Sequence, residues 1–129
     1  MNLSKPTVPP QPPTISPATQ TPAREGQEYH LNCQSYGGNP EPNITWFRNE
    51  QPIVSPHGGV RIEQSRLNET TTSTLSWIPT MDDHQAVYKC LVWNKAMSPM
   101  PAYERELRLQ VECKYLRLQF FFFTFLSLL

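Results

Sequence analysis

The side chains of this chain that are most capable of chemical reaction are those of its three cysteines, Cys33, Cys90 and Cys113. Cys33 and Cys90 are 57 residues apart, and Trp46 and Tyr88 lie between them in the sequence. Cysteine side chains can form disulfides, bind metals or act as nucleophiles. If two of the three are paired with each other, the third has no partner inside the chain. The chemistry of the chain therefore depends first on this pairing.

The other residue types that support catalysis or metal binding are not spaced for either. His30, His57 and His84 do not stand at metal-ligand spacing from one another or from a cysteine. The sequence has no nucleophile-elbow, zinc-protease or phosphate-loop motif. Asp82 and Asp83 are adjacent carboxylates, which cap a turn more often than they form an acid–base pair. We therefore expect no catalytic residue, no metal and no cofactor, and the protein is not expected to be an enzyme.

Length, composition and charge further restrict the possible fold and the possible classes of partner. The chain has 129 residues, enough for one domain, and its 14 prolines against 5 glycines suit a chain of strands and turns. Eleven basic residues balance eleven acidic ones, so the net charge is zero. Nucleic-acid binding requires a clustered basic surface. Neither nucleic acid nor an acidic substrate is therefore expected as a partner.

Apolar and polar residues alternate through most of residues 29–111, which predicts β-strands. Turns rich in Gly, Pro, Asn and Asp separate the alternating segments. We predict strands at residues 29–34, 44–47, 60–63, 72–78, 86–93 and 103–111, with Ile15 in a further strand. Seven short strands indicate an all-β fold built as a two-sheet sandwich.

Several segments resemble immunoglobulin superfamily domains of the C2-like kind found in nephrin and nectin-type adhesion receptors. They are residues 24–26 (REG), 31–33 (LNC), 37–40 (GGNP), 44–49 (ITWFRN), 51–52 (QP), 82–90 (DDHQAVYKC) and 107–111 (LRLQV). The resemblance implies an immunoglobulin-like two-sheet Greek-key sandwich. It also implies a disulfide between Cys33 and Cys90 that joins the sheets, with Trp46 and Tyr88 in the core. Such a disulfide requires maturation in an oxidising compartment.

The chain departs from the family pattern ahead of the second cysteine. Many immunoglobulin domains have aspartate six residues before it and glycine four residues before it, where this chain has His84 and Ala86. The Asp–Arg ion pair common in variable-type domains is therefore not expected. This departure favours the C2-like group.

We divide the chain into a proline-rich linker (residues 1–13), an immunoglobulin-like domain (residues 14–112) and an apolar tail (residues 113–129). The linker has no apolar segment typical of a signal peptide, which implies a preceding domain in a longer protein. Residues 120–129 would rise only about 15 Å as a helix, half of a bilayer core of about 30 Å. The tail is either a truncated membrane anchor or non-native sequence. Cys113 is correspondingly either the end of a fragment or the site of an intermolecular disulfide.

Strand alternation predicts a mixed apolar and charged surface on one sheet. It places Phe47, Leu91 and Trp93 on the outer face, surrounded by Lys89, Arg108 and Gln110. Aromatic residues rimmed by charge are typical of a protein–protein contact. The alternative is that a loop or the tail covers these residues, or that they are scattered singly.

Two glycosylation sequons fall at predicted loop edges, Asn43-Ile-Thr and Asn68-Glu-Thr, whereas a third at Asn2 lies in the fragment's start. Asn43 has the same outward parity as Phe47, so a glycan there would border the predicted contact surface.

The resemblance implies a cell-surface adhesion or recognition module. Its partner is expected to be another immunoglobulin-domain receptor, homophilic or heterophilic, contacted through one sheet face. The expected location is the extracellular side of the plasma membrane, within a larger single-pass receptor. The alternative is a passive spacer domain in the stalk of a multi-domain receptor.

Overall fold

The structure, a computed structural model, describes residues 5–114. Within that range it is almost entirely β, with two short 3-10 helices at Met81–Asp83 and Lys95–Met97. The strands are β1 (Val8–Pro10), β2 (Thr14–Pro17), β3 (Ala23–Arg24), β4 (Tyr29–Asn39), β5 (Asn43–Arg48), β6 (Gln51–Pro52), β7 (Arg61–Leu67), β8 (Thr70–Trp77), β9 (Val87–Trp93), β10 (Tyr103–Arg108) and β11 (Val111–Glu112). No helix among these residues is long and apolar enough to cross a membrane. The apolar tail at residues 120–129 lies outside the described range.

Most strands belong to two antiparallel sheets packed as a sandwich. The first sheet has the order β4–β8–β7, and both β1 and β2 pair with the free side of β4. The second sheet has the order β10–β9–β5–β6, and β11 pairs with β3 in a separate parallel ladder. This all-β arrangement confirms the predicted fold class.

Burial follows the alternation in the sequence, which explains why these segments form strands. In β4 the buried residues Tyr29, Leu31, Cys33 and Ser35 alternate with more exposed ones. In β9 Tyr88, Cys90 and Val92 are buried on the core side, and Lys89 between them is buried as well. Both sheets contribute to one core, made of Ala23, Tyr29, Leu31, Cys33, Ile44, Trp46, Leu75, Trp77, Ala86, Tyr88, Cys90, Val92, Leu109 and Val111.

A covalent link and a hydrogen bond join the two sheets at their centre. Cys33 of β4 and Cys90 of β9 form a disulfide, as the family resemblance implied. Trp46 lies directly opposite Cys90 in the second sheet, and Ser73 lies directly opposite Cys33 in the first. The Trp46 indole Nε1 donates a hydrogen bond of 2.9 Å to the Ser73 hydroxyl. The bridge therefore joins β4 to β9, and the hydrogen bond joins their neighbours β8 and β5 at the same level.

An Asp–Arg ion pair is present, although the sequence led us not to expect one. The carboxylate comes from Asp83, one position earlier than in the family pattern. Its Oδ1 accepts hydrogen bonds from Arg48 Nε at 3.0 Å and from the Tyr88 hydroxyl at 3.2 Å. Its Oδ2 accepts from Trp77 Nε1 at 3.2 Å and from the backbone N–H of Thr80 at 2.9 Å. The 3-10 turn at residues 81–83 presents this carboxylate to Arg48 of β5.

The aromatic side chains beside Asp83 form a stack in the core. Trp77 and Tyr88 are stacked with ring centroids 4.8 Å apart, and Tyr29 meets Trp77 edge-on at 5.9 Å. Burial raises the pKa of the Tyr88 phenol, and the negative charge of Asp83 raises it further. Tyr88 therefore remains a neutral hydrogen-bond donor to the carboxylate.

Part of the proline-rich start forms a short strand. Val8–Pro10 pair with the far end of β4, with Pro10 opposite Gly37, and Pro10 is buried. A side chain at Gly38 would meet the Pro10 Cβ at 3.2 Å, so the close approach of β1 depends on this glycine. Strand β1 therefore lies within the segment, residues 1–13, that the sequence analysis assigned to a linker.

Two strand boundaries differ from the prediction because a tight turn was not recognised. We expected strands at residues 60–63 and 72–78, but β7 and β8 extend to Leu67 and Thr70, which pair with each other. The two residues between them, Asn68 and Glu69, have φ of 49° and 66°. Such a turn is normally signalled by Asn-Gly, and glutamate at the second position hid it.

We expect Asp83→Asn to lower the free energy of unfolding by about 3 kcal/mol. The amide NH₂ cannot accept the hydrogen bonds that the carboxylate accepts from the Trp77 indole and the Thr80 backbone. Asp82→Asn is the matched control, because Asp82 is exposed, and it should change stability by less than about 0.5 kcal/mol. Urea unfolding of the two variants measures the difference, and equal stabilities would contradict the role given to Asp83.

We expect Glu69→Gly to raise the free energy of unfolding by about 1 kcal/mol, because glycine adopts a positive φ without steric cost. The same substitution at Glu63, inside β7, should lower it by about 1 kcal/mol because glycine weakens a strand. Opposite shifts in thermal or urea unfolding are the expected result, and a loss of stability in both variants would refute the turn geometry.

Candidate functional site

The candidate site is the outward surface of β5, β9 and β10, which we call the β9 face. Its central row comes from β9: Val87, Lys89, Leu91 and Trp93. Strand β5 places Asn43, Thr45 and Phe47 opposite Trp93, Leu91 and Lys89, and β10 places Glu104, Glu106 and Arg108 opposite Leu91, Lys89 and Val87. Because the inward positions of β5 and β9 are occupied by Trp46, Tyr88, Cys90 and Val92 in the core, alternation directs this set outward.

Lys89 lies at the centre of the β9 face, whereas the sequence led us to expect it on the rim. Its ammonium is 2.6 Å from a carboxylate oxygen of Glu50 and 3.4 Å from one of Glu104. The same Nζ lies over the Phe47 ring, 5.2 Å from its centroid. The Lys89 side chain is only 11% exposed. A positive charge is therefore held in place between two glutamates and an aromatic ring.

The lysine's surroundings affect its protonation. The hydrogen bond to Glu50 raises the pKa of Lys89, burial opposes this, and the charges of Glu50 and Glu104 add to the increase. Lys89 is thus fixed as a cation at the centre of the face.

The apolar part of the face lies toward the other end of β9. Leu91 is half-buried between Thr45 and Glu104. Trp93 is 38% exposed and lies directly opposite Asn43. Phe47, Leu91 and Trp93 therefore share one face, and Phe47 lies under the Lys89 ammonium.

Of the other two residues expected on the rim, Arg108 lies on the β9 face and Gln110 is not assigned to it. Arg108 ends β10 on the β9 face, where its Nη1 donates to the Gln85 carbonyl at 3.4 Å. Gln110 lies beyond the end of β10, between it and β11, so strand alternation does not assign it to the face.

The two sequons lie in different parts of the fold. Asn43 begins β5 on the β9 face and is exposed, as is Thr45. Asn68 is exposed in the turn between β7 and β8, at the edge of the other sheet. The structure therefore does not bring the two asparagines together.

Two of the three histidines have side-chain hydrogen bonds inside the domain. His30 Nδ1 is 2.6 Å from the Ser76 hydroxyl, and His84 Nδ1 accepts the Val111 backbone N–H at 3.0 Å. His57 lies in a short bridge with Val60. In residues 5–114 no group of three or more His, Cys, Asp or Glu side chains could hold a metal ion. Cys113 is half-buried and is not in a disulfide.

Sequence reasoning missed the two glutamates that hold Lys89. Glu104 could have been found from alternation, because it shares the parity of Arg108 in the predicted strand at residues 103–111. Glu50 could not, because its position depends on a second two-residue turn, Asn49–Glu50, with φ of 47° and 67°. That turn reverses the chain into β6 and brings Glu50 beside Lys89.

Comparisons with known proteins agree on one domain type. A family model described as "Immunoglobulin domain" matches residues 12–94. "Cell adhesion molecule 2" of Xenopus tropicalis is 30% identical over 98 residues, which cover 76% of this chain and 22% of that protein. The chain thus spans about a fifth of the length of this relative.

Solved structures share the fold at lower identity. The ectodomain of mouse nectin-like molecule 4 superimposes with a TM-score of 0.66 at 18% identity, covering 83% of this chain and 35% of that one. The structure of Dpr2 Ig1-Ig2 in complex with DIP-Theta Ig1-Ig3 gives a TM-score of 0.61 at 23% identity, covering 80% and 33%.

We expect Lys89 to react more slowly with an amine-acylating reagent than the exposed Lys95, because a raised pKa lowers the fraction of neutral, nucleophilic amine. Glu50→Gln should accelerate acylation of Lys89, whereas Glu63→Gln, in the other sheet, should not. Peptide mapping by mass spectrometry at pH 8 gives both rates. Equal acylation of Lys89 in the protein and in its Glu50→Gln variant would contradict the ion-pair geometry.

Proposed function

The chain belongs to the immunoglobulin domain family, and we propose that it is a cell-surface recognition module that binds another protein through the β9 face. The proposal assigns it no catalytic step. It locates the domain on the extracellular side of the plasma membrane, as one part of a larger single-pass receptor. The disulfide between Cys33 and Cys90 supports this location, since such bonds persist in oxidising compartments.

The observation that carries the proposal is the composition of the β9 face. Half-buried Leu91 and then exposed Trp93 follow the fixed cation of Lys89 along β9, on a sheet whose opposite side is the core. Protein interfaces are enriched in aromatic residues and are rimmed by polar and charged groups. Because the Lys89–Glu50–Glu104 cluster is already ordered, a partner that contacts it loses little side-chain entropy.

The partner that fits best is another immunoglobulin-domain receptor, either a second copy of the same protein or a different one. The relative named Cell adhesion molecule 2 supports an adhesive role. The structural neighbour in which Dpr2 is in complex with DIP-Theta provides a precedent for pairing between immunoglobulin-domain proteins. The β9 face carries both cations and carboxylates, so a complementary surface would present both charge signs.

A second candidate function is that of a passive spacer in a receptor stalk. One observation favours it: Lys89 is already paired with two glutamates, so its charge needs no partner. A spacer would use the rigid sandwich only to set the distance of a distal binding domain.

Binding by variants of the secreted protein separates the two functions. After enzymatic removal of N-linked glycans, we expect Trp93→Ser and Phe47→Ser to weaken self-association, or binding to a panel of immunoglobulin-domain ectodomains, by at least about tenfold. Tyr36→Ser is the matched control, because Tyr36 is a 50% exposed aromatic on the first sheet, and it should bind as the parent does.

Surface plasmon resonance and analytical ultracentrifugation measure the effect, with circular dichroism to establish that each variant is folded. Loss of binding in Tyr36→Ser equal to that in Trp93→Ser would reject the β9 face as the contact. Absence of binding in the parent protein to itself and to the whole panel would favour the spacer.

A further inference from the structure

A sequon and an exposed tryptophan lie side by side on the β9 face. Asn43 of β5 and Trp93 of β9 are directly opposite each other in the antiparallel ladder. The Cβ atoms of such a pair are about 5 Å apart, and both side chains point to the same face. Asn43 and Thr45, which complete the Asn-X-Thr sequon, are both exposed. The acceptor amide is therefore accessible next to an indole ring.

We propose that Asn43 carries an N-linked glycan whose first N-acetylglucosamine packs against the indole of Trp93. The pyranose ring of this sugar has a face of C–H groups, and the indole face carries the negative part of the ring quadrupole. Contact between the two removes apolar indole surface from water. The sugar thus occupies the exposed end of the β9 face.

The backbone on both sides of this pair is anchored, which holds the indole and the acceptor in register. The residue after Trp93 is Asn94, which is buried and donates hydrogen bonds to the Val8 carbonyl at 2.8 Å and the Pro40 carbonyl at 3.0 Å. The residue before Asn43 is the buried Pro42, whose carbonyl accepts from Gln64 Nε2 at 3.1 Å. A sugar linked to Asn43 therefore meets an already ordered surface.

Trp93 differs in this respect from the other two tryptophans of the chain. Trp46 and Trp77 are 1% and 7% exposed and their indole N–H groups are hydrogen-bonded inside the domain. Trp93, at 38% exposed, is the tryptophan whose surface a glycan can cover.

The second sequon provides an internal comparison. Asn68 lies in the β7–β8 turn with φ of 49°, and the strand residues flanking that turn are Leu67 and Thr70. A glycan on Asn68 has no tryptophan opposite it. The shielding of an indole is therefore specific to the glycan on Asn43.

One consequence rests on the proposed function. If the β9 face binds a partner, the glycan covers its Trp93 end, and the partner approaches from the end that holds Phe47 and Lys89. Removing the sequon would then strengthen binding by exposing Trp93.

The test uses the secreted chain with its glycans trimmed by endoglycosidase H to a single N-acetylglucosamine. Mass spectrometry of glycopeptides should show this sugar on Asn43. Acrylamide quenching of tryptophan fluorescence then reports mainly on Trp93, because the other two tryptophans are buried. We expect Thr45→Ala, which removes the sequon and keeps Asn43, to increase the quenchable fraction of the emission.

The matched control is Thr70→Ala, which removes the Asn68 sequon and should leave quenching unchanged. Trp93→Phe in the Thr45→Ala background should abolish the quenchable fraction, which assigns the signal. An unoccupied Asn43, or equal quenching in the parent and Thr45→Ala, would overturn the proposal. None of these measurements needs a partner, so their failure is distinct from failure of the β9 face to bind protein.

Discussion

The connection between the two sheets is the constraint on which the rest of the domain depends. The disulfide between Cys33 and Cys90 joins β4 to β9, and the Trp46–Ser73 hydrogen bond joins the strands beside them. With Cys90 and its same-parity neighbours committed to the core, the intervening side chains of β9 must point outward. The position of the β9 face thus follows from the position of the bridge.

A second buried contact, centred on Asp83, connects strands of both sheets. Asp83 accepts hydrogen bonds from two aromatic side chains, an arginine and a backbone N–H, and thereby ties the turn at residues 81–83 to β5, β8 and β9. A buried carboxylate is tolerated only when its oxygens are fully hydrogen-bonded and its charge is balanced. Arg48 provides the balancing charge, and Tyr88, held neutral by its raised pKa, provides a donor.

The β9 face combines ordered charge at its centre with exposed aromatic surface at one end. Lys89, Glu50 and Glu104 neutralise much of one another's charge, so the centre of the face is polar without a strong net field. Trp93 supplies the exposed apolar surface, and its neighbour Asn43 bears the sequon. The proposed partner contact and the proposed glycan therefore both involve the same three strands.

The sequence by itself determined the sandwich, the pairing of Cys33 with Cys90 and the outward direction of Phe47, Leu91 and Trp93. These features follow from alternation and from the spacing of a few residues, which are local properties of the chain or marks of a known family. It did not determine the partners of Lys89, the ion pair of Asp83, or the strand β1. Each of those depends on segments distant in sequence: the turn at Asn49–Glu50 for Lys89, the 3-10 turn at residues 81–83 for Asp83, and the register with β4 for β1. The turn residues Glu50 and Glu69 carry no glycine signal. Only the tertiary structure, by setting that register, placed Asn43 opposite Trp93.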